Sequence, residues 1–226
     1  DEERELIVLR MHQILRPFML RRTKRDIDQT LSITYHEVRC PLSFLQKTLL
    51  AQLRDSKTMP VIHDGRCATG TVSAREIYAQ TVCDHPLMVP FFSQLMHRDK
   101  VSDADAGAVA LRSSGKFVIL DVILRRMKRA GRKAVVFSHF LDVIDLLREH
   151  MEHRGWSDNF VSLTGATSVD ERGAMVRRFR SDPNVFAFFL SMKAGGCGLN
   201  LQVADVVILL DRDYTTTNED QAIARV

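Results

Sequence analysis

Apolar and polar positions change their period about halfway along the chain. Before Gly115 the pattern is helical and interrupted. Residues 1–29 read as helix, with Leu6, Leu9, Ile14 and Leu15 at helical spacing and Pro17 forcing a kink or a fresh start. Residues 34–40 (TYHEVRC) alternate like a strand, and 43–59 return to helix with Phe44, Leu45, Leu49, Leu50 and Leu53 on one face. Residues 60–72 carry Pro, Gly and Asp and read as loop. Ser73-Ala-Arg-Glu76 has the capping-box pattern for a helix reaching Cys83. Residues 98–114 make the weakest case for order and read as a flexible connection between a helical annex and the main domain.

From Gly115 onward the alternation of elements becomes regular. A helix to about Arg129 precedes a short apolar run, Ala134 to Phe137, and the helix 140–153 leads to a second run at 159–163. Ser168-Val-Asp-Glu171 caps a helix over 169–180, followed by strand 185–190, a Gly-rich turn, strand 206–210 and a helix starting near Asn218. Continuous β-branched and aromatic runs separated by amphipathic helices predict an α/β fold: a parallel sheet with helices on both faces. Ligands of such sheets bind outside the carboxyl ends of the strands. Ser138-His139, Thr164-Gly165-Ala166, Ser191 to Asn200 and Asp211 to Tyr214 fall there.

At 226 residues and 45% hydrophobic, the chain can bury one α/β core and a smaller annex. No stretch approaches the roughly 18 apolar residues of a membrane span, so no membrane partner is expected. The first residues lack a signal-peptide layout, and both ends read as cuts in a longer protein. Four cysteines without CxxC spacing suggest a reducing compartment. His63, Cys67, Cys83 and His85 fit no common zinc spacing, and no metal site is expected. The net charge of +4 points mildly to a polyanion. Its distribution adds basic runs at Arg16–Arg25, Arg125–Lys133 and Arg177–Arg180, each equally readable as a solvated helix face.

Gly195, Gly196 and Gly198 would let backbone amides approach a phosphate, with Ser191 and Lys193 as added donors. The turn is neither a dinucleotide fingerprint nor a P-loop, since no Lys-Ser or Lys-Thr pair follows the glycines. Gly115-Lys116 does not follow a strand, and no complete triphosphate cradle is present. Thr216-Thr-Asn-Glu219 would start a helix presenting Gln221 and Arg225 four residues apart on one face. That pair suits a phosphate, or a polar surface helix.

Seven blocks in order decide between these readings. They are Arg16-Pro-Phe-Met-Leu-Arg-Arg-Thr-Lys24, Cys83-Asp-His-Pro86, Ser114-Gly-Lys116, Lys133 to Phe140, Leu163 to Ser168, Ser191 to Leu201 and Gln221 to Arg225. Together they resemble the second RecA-like lobe of Swi/Snf family DNA-translocating ATPases, over essentially the whole chain. The resemblance implies a lobe-entrance segment and annex over 1–97, the connection over 98–114 and a RecA-like C-terminal lobe over 115–226. It implies DNA-backbone contacts from Ser138, His139, Thr164, Gly165, Ser191, Lys193, Ala194 and Tyr214, while Arg21, Arg22 and Lys24 either seat the lobe or touch phosphate. Gly195, Gly196, Gly198 and Asn200 would couple the DNA contact to nucleotide. Gln221 and Arg225 would carry catalysis, Arg225 as an arginine finger. ATP and Mg²⁺ would be bound mainly by a first lobe of the same polypeptide, and the partners would be double-stranded DNA and nucleosomes in the nucleus. The alternatives are a strand-separating helicase lobe and a catalytically dead binding lobe. Tyr214-Thr-Thr, His139 and Asp84 stand where the family commonly has Trp-Asn-Pro, Gln and Asn.

Overall fold

The computed structural model describes residues 6, 7, 10, 11, 14, 15, 18, 33–55, 60–63, 66–69, 72–89, 103–165, 167–195, 199–211 and 223. The chain divides into two compact units, Asp1–Arg39 and Cys40–Val226. In the first, the described positions up to Leu15 are helical, and Leu6, Ile7, Met11 and Ile14 are exposed. Residues 34–40, expected as a strand, form neither helix nor ladder. Alternation alone does not make a strand, and here it marks no buried face, since Tyr35 and Val38 are both exposed.

The second unit opens on helix α1 (Phe44–Asp55). A capping box starts it: the Ser43 hydroxyl accepts the Gln46 N–H at 3.1 Å, and Gln46 Oε1 accepts the Ser43 N–H at 2.9 Å. Leu49 and Leu53 of α1 bury against Tyr78 and Val82 of helix α2 (Val72–Asp84) and against Val89, which caps the 3₁₀ turn Pro86–Met88. Between α1 and α2 lies an antiparallel hairpin, β1 (Pro60–His63) and β2 (Arg66–Thr69), where the sequence suggested loop. Antiparallel backbone pairing asks little of the side chains, so a Pro, Gly and Asp content that reads as loop does not exclude it.

Residues 98–114 were expected to be a flexible connection, yet Asp103–Ser113 forms helix α3. It packs on the two following helices, with Leu111 against the core and the Ala110 carbonyl held by His85 at 3.0 Å. Small residues made the stretch look loop-like, but they are what lets α3 lie close. Gly107 sits directly beneath the His153 ring.

Helix α4 (Gly115–Ala130) is capped by Ser114 and ends on Gly131, whose φ of 64° is the left-handed conformation that glycine adopts without strain. Then follow β3 (Ala134–Ser138), α5 (Leu141–His153), β4 (Phe160–Leu163), α6 (Val169–Ser181), β5 (Ala187–Ser191), the single turn α7 (Met192–Gly195) and β6 (Val206–Leu209). The strands pair in parallel in the order β4-β5-β3-β6. Because side chains alternate across a strand, Val136 and Phe189 face α4 and α5, while Val135, Phe137, Phe188 and Leu190 face Phe179 of α6. The sheet is covered on both faces, as expected. The capping box of α6 is also present, Ser168 Oγ accepting the Glu171 N–H and the Glu171 carboxylate accepting the Ser168 N–H at 3.0 Å.

Candidate functional site

Four parallel strands bring their carboxyl ends to one rim. Ser138 and Ser191 are partners on the last rung between β3 and β5. Leu163 pairs with Leu190, so Thr164 and Gly165 leave the sheet beside Ser191. On the other side the Leu210 N–H donates to the Phe137 carbonyl at 3.0 Å, which sets Asp211 level with Ser138.

The rim's side chains are largely committed inward. Ser138 is 1% exposed; its hydroxyl donates to Asp211 Oδ2 at 2.5 Å and accepts the Phe140 N–H at 3.2 Å. The His139 N–H donates to Asp211 Oδ1 at 2.8 Å, while the His139 ring is exposed and lies edge-on to Phe140. Burial pushes the Asp211 carboxyl up, and the two bonds from Ser138 and His139 pull the other way. Ser191 is buried, its hydroxyl accepting the Ala194 N–H at 3.3 Å, and Ala194 is buried too. Gly165 is exposed with open space where a Cβ would stand, and its carbonyl accepts from Arg172 at 3.2 Å. The Thr164 N–H donates to Thr167 Oγ1 at 3.2 Å. Lys193 and Gly195 lie in the single turn α7, and Asn200 Oδ1 accepts the Gln202 N–H at 3.2 Å.

The structure thus gathers Ser138, His139, Thr164, Gly165, Ser191, Lys193, Ala194 and Gly195 on one rim. Of these, Ser138, Ser191 and Ala194 present backbone and packing rather than free side chains. Gly196, Gly198, Tyr214, Gln221, Arg225, Arg21, Arg22 and Lys24 lie outside the described residues.

Sequence reasoning missed a polar joint behind the rim. Lys116 donates to Asp84 Oδ1 and, at 2.8 Å, to the Leu210 carbonyl just before Asp211. The Ser114 hydroxyl donates to the Asp84 carbonyl at 2.6 Å. Gln46 is fully buried and uses all four of its positions. Its amide donates to the Val82 and Cys83 carbonyls, and its oxygen accepts the Ser43 and Gly115 N–H groups. The joint therefore unites the Cys83–Pro86 and Ser114–Lys116 blocks. The available signal was a glutamine on the apolar face of α1, at helical spacing from Leu49, Leu50 and Leu53.

Burial pushes the Asp84 carboxyl up to about 6, with Lys116 opposing. The folded chain therefore holds this proton more tightly than the unfolded one. The contribution is favourable in acid and is lost as pH rises from about 4 through about 6. His85 has the opposite slope: burial pushes it down to about 4, and its neutral ring accepts the Leu87 N–H and donates to the Ala110 carbonyl. Asp84→Asn should therefore gain on the wild type as pH rises, by roughly 2 kcal/mol between pH 4.5 and pH 7, since each pKa unit is worth about 1.4 kcal/mol and part of the shift is already lost at pH 4.5. Urea midpoints for both proteins at pH 4.5 and pH 7 check this; a constant difference between them would contradict it.

The basic run 125–133 lies away from the rim, toward the amino ends of the strands. Arg125 pairs with Asp121, Lys128 lies over Trp156, and Lys133 donates to the Phe179, Asp182 and Val185 carbonyls at the end of α6. Arg126, Arg129 and Arg132 are exposed, as a solvated face requires. Among the described residues no three metal-binding side chains gather, and no helix is long and apolar enough to cross a membrane.

Residues 115–226 match the helicase conserved C-terminal domain family. The chain is 32% identical, over 98% of its length, to "Probable ATP-dependent DNA helicase CHR23" of Arabidopsis thaliana, of which it covers 20%. It is 33% identical over 98% of its length to chromatin structure-remodeling complex subunit snf21 of Schizosaccharomyces pombe, covering 18% of that protein. The chain thus spans a fifth or less of these relatives. Among solved structures, the Sulfolobus solfataricus SWI2/SNF2 ATPase C-terminal domain superposes with a TM-score of 0.56 at 25% identity, over 77% of this chain and 70% of that one.

Proposed function

From the match of residues 115–226 to the helicase conserved C-terminal domain family and the likeness of nearly the whole chain to Swi/Snf relatives, we propose that it is a Swi/Snf-type lobe, the second motor lobe of an ATP-dependent double-stranded-DNA translocase. The whole protein would act in chromatin remodelling or DNA repair in the nucleus, on nucleosomes or other duplex DNA. The observation that supports this most is the rim itself. Turns from three strands meet there with exposed backbone at Gly165 and an exposed ring at His139. Backbone amides and a few polar side chains are what phosphate contacts need, and such contacts position a duplex without reading its sequence. Binding should accordingly weaken steeply with salt. Thr164, Gly165, His139 and Lys193 are the direct contacts in this reading, and Tyr214 would be a further one. Ser138, Ser191 and Ala194 shape the turns. Arg21, Arg22 and Lys24 seat the lobe at its entrance or touch phosphate.

The described rim does not by itself fit ATP with Mg²⁺. Its carboxylate, Asp211, already accepts two hydrogen bonds, and Lys116 behind it is spent on Asp84 and Leu210. No P-loop pattern occurs in the 226 residues. The nucleotide therefore belongs mainly to a first RecA-like lobe of the same polypeptide. This lobe would add Gln221 and Arg225 to the shared site, and the turn Gly195–Asn200 would couple that site to DNA. The 226-residue chain alone is accordingly expected to release no phosphate from ATP, with or without duplex DNA. DNA-stimulated hydrolysis by the isolated chain would overturn the shared-site reading.

A further inference from the structure

We propose that Asp211 is the positioning residue of the rim: its carboxylate fixes the Ser138–His139 turn, and the Lys116–Asp84 pair fixes the backbone that carries Asp211. The proposal rests on the reading of the rim as a DNA contact surface and adds what holds that surface in shape.

Asp211 is 4% exposed and uses its two oxygens on consecutive residues, one on the Ser138 hydroxyl at 2.5 Å and one on the His139 N–H at 2.8 Å. A single bond would leave the turn free to swivel. Two bonds from one carboxylate set both the position of the Ser138–His139 peptide and its tilt. The partners stand 73 residues apart in sequence, at the ends of adjacent strands β3 and β6, so the tether closes a corner that the ladder does not reach. Register pairing between β3 and β6 stops at Phe137 and Leu209.

Asp211 is itself held. Lys116 donates to the Leu210 carbonyl at 2.8 Å and to Asp84 Oδ1, and Asp84 is fully buried with its carbonyl bound by Ser114. A path of hydrogen bonds thus runs from the end of α2, through the start of α4, to the rim turn that presents the exposed His139 imidazole. A carboxylate needed only for packing would have no reason to address that turn with both oxygens. An asparagine at 211 keeps the size but removes the charge from both bonds, and its amide can hold Ser138 only if that hydroxyl turns its hydrogen to the Phe140 carbonyl, 3.2 Å away.

The test uses the full-length protein that contains this chain. Asp211→Asn should raise the duplex concentration that half-saturates DNA-stimulated ATP hydrolysis about tenfold, the scale of the charge assistance lost from the two bonds, while turnover at saturating duplex changes less than about twofold. Deuterium uptake of the peptide spanning residues 138–141 should speed up in the same variant. Ser138→Ala removes one tether and should give about a threefold shift, and combining the two changes should add little to Asp211→Asn because they act on one corner. If Asp211→Asn fails to fold, Ser138→Ala carries the test through the same two readouts, with Ser138→Thr restoring both. Unchanged uptake over 138–141 overturns the tether, whatever happens with DNA. Faster uptake with unaltered half-saturation overturns its role in positioning the rim. An unaltered protein that ignores DNA refutes the motor reading instead, and uptake then judges the tether alone.

Discussion

Replacing Gly115 by alanine should cost the fold about 3–5 kcal/mol and lower the melting temperature by roughly 10 °C. A Cβ at this position would stand 1.7 Å from the Pro41 carbonyl oxygen and 2.8 Å from its carbon. Both are backbone atoms, so no side chain can swing aside. Relief requires moving the segment that leads into α1, or the first turn of α4, and either shift pulls the Gly115 N–H off Gln46. Overpacking and a stranded buried amide add in the same direction. Gly107→Ala is the matching control. Its new Cβ would come within 2.7 Å of the His153 ring, but that side chain is exposed and can rotate away. The change should stay within about 1 kcal/mol, because alanine's better helix propensity offsets the displaced ring. Thermal melts of the two variants beside the wild type decide the matter, and equal losses would mean that the Pro41 contact is not rigid.

In the full-length protein, Arg225→Ala should reduce ATP turnover by about 10³-fold or more while leaving duplex affinity within about threefold. The reason is electrostatic. In the proposed shared site a guanidinium supplied across two closing lobes would neutralise charge that grows on the phosphoryl oxygens, whereas a duplex on the rim would be held by turns that the substitution does not touch. Steady-state hydrolysis at saturating DNA, paired with a direct binding measurement, separates the two. Turnover within about tenfold of wild type would mean that the finger lies elsewhere. A wild type without turnover would favour the catalytically dead lobe, and strand displacement by the intact protein would favour the unwinding one.

What could be read from the sequence is what is local. The α6 capping box spans four residues, and the buried strands announce themselves as Val-Val-Phe and Phe-Phe-Leu runs, so their elements were recognisable. The rim followed from topology, because the turns after successive parallel strands must share an edge. Helix α3 was not recognisable. Its Ala, Asp and Gly residues look like linker until α4, α5 and His85 supply a surface to lie on. The polar joint was hidden for the same reason. Asp84, Lys116 and Leu210 are meaningless as neighbours until three distant segments meet, and charge counting sees Lys116 only as one more cation. Gln46 was visible as a misfit on an apolar helix face. A misfit says that a partner exists without saying which.

The way α4 begins also bears on how such a lobe can be exchanged between proteins in evolution. The match to the helicase conserved C-terminal domain family starts at Gly115, yet that residue's amide is bound by Gln46 of α1 and a Cβ there would collide with the Pro41 carbonyl. That family boundary therefore runs through the middle of a packed joint. A gene fusion cut at Gly115 would inherit the catalytic grammar of the family without the residues that seat its first helix. A graft of the lobe should therefore keep α1 and Pro41 with it, because those residues seat the first turn of α4.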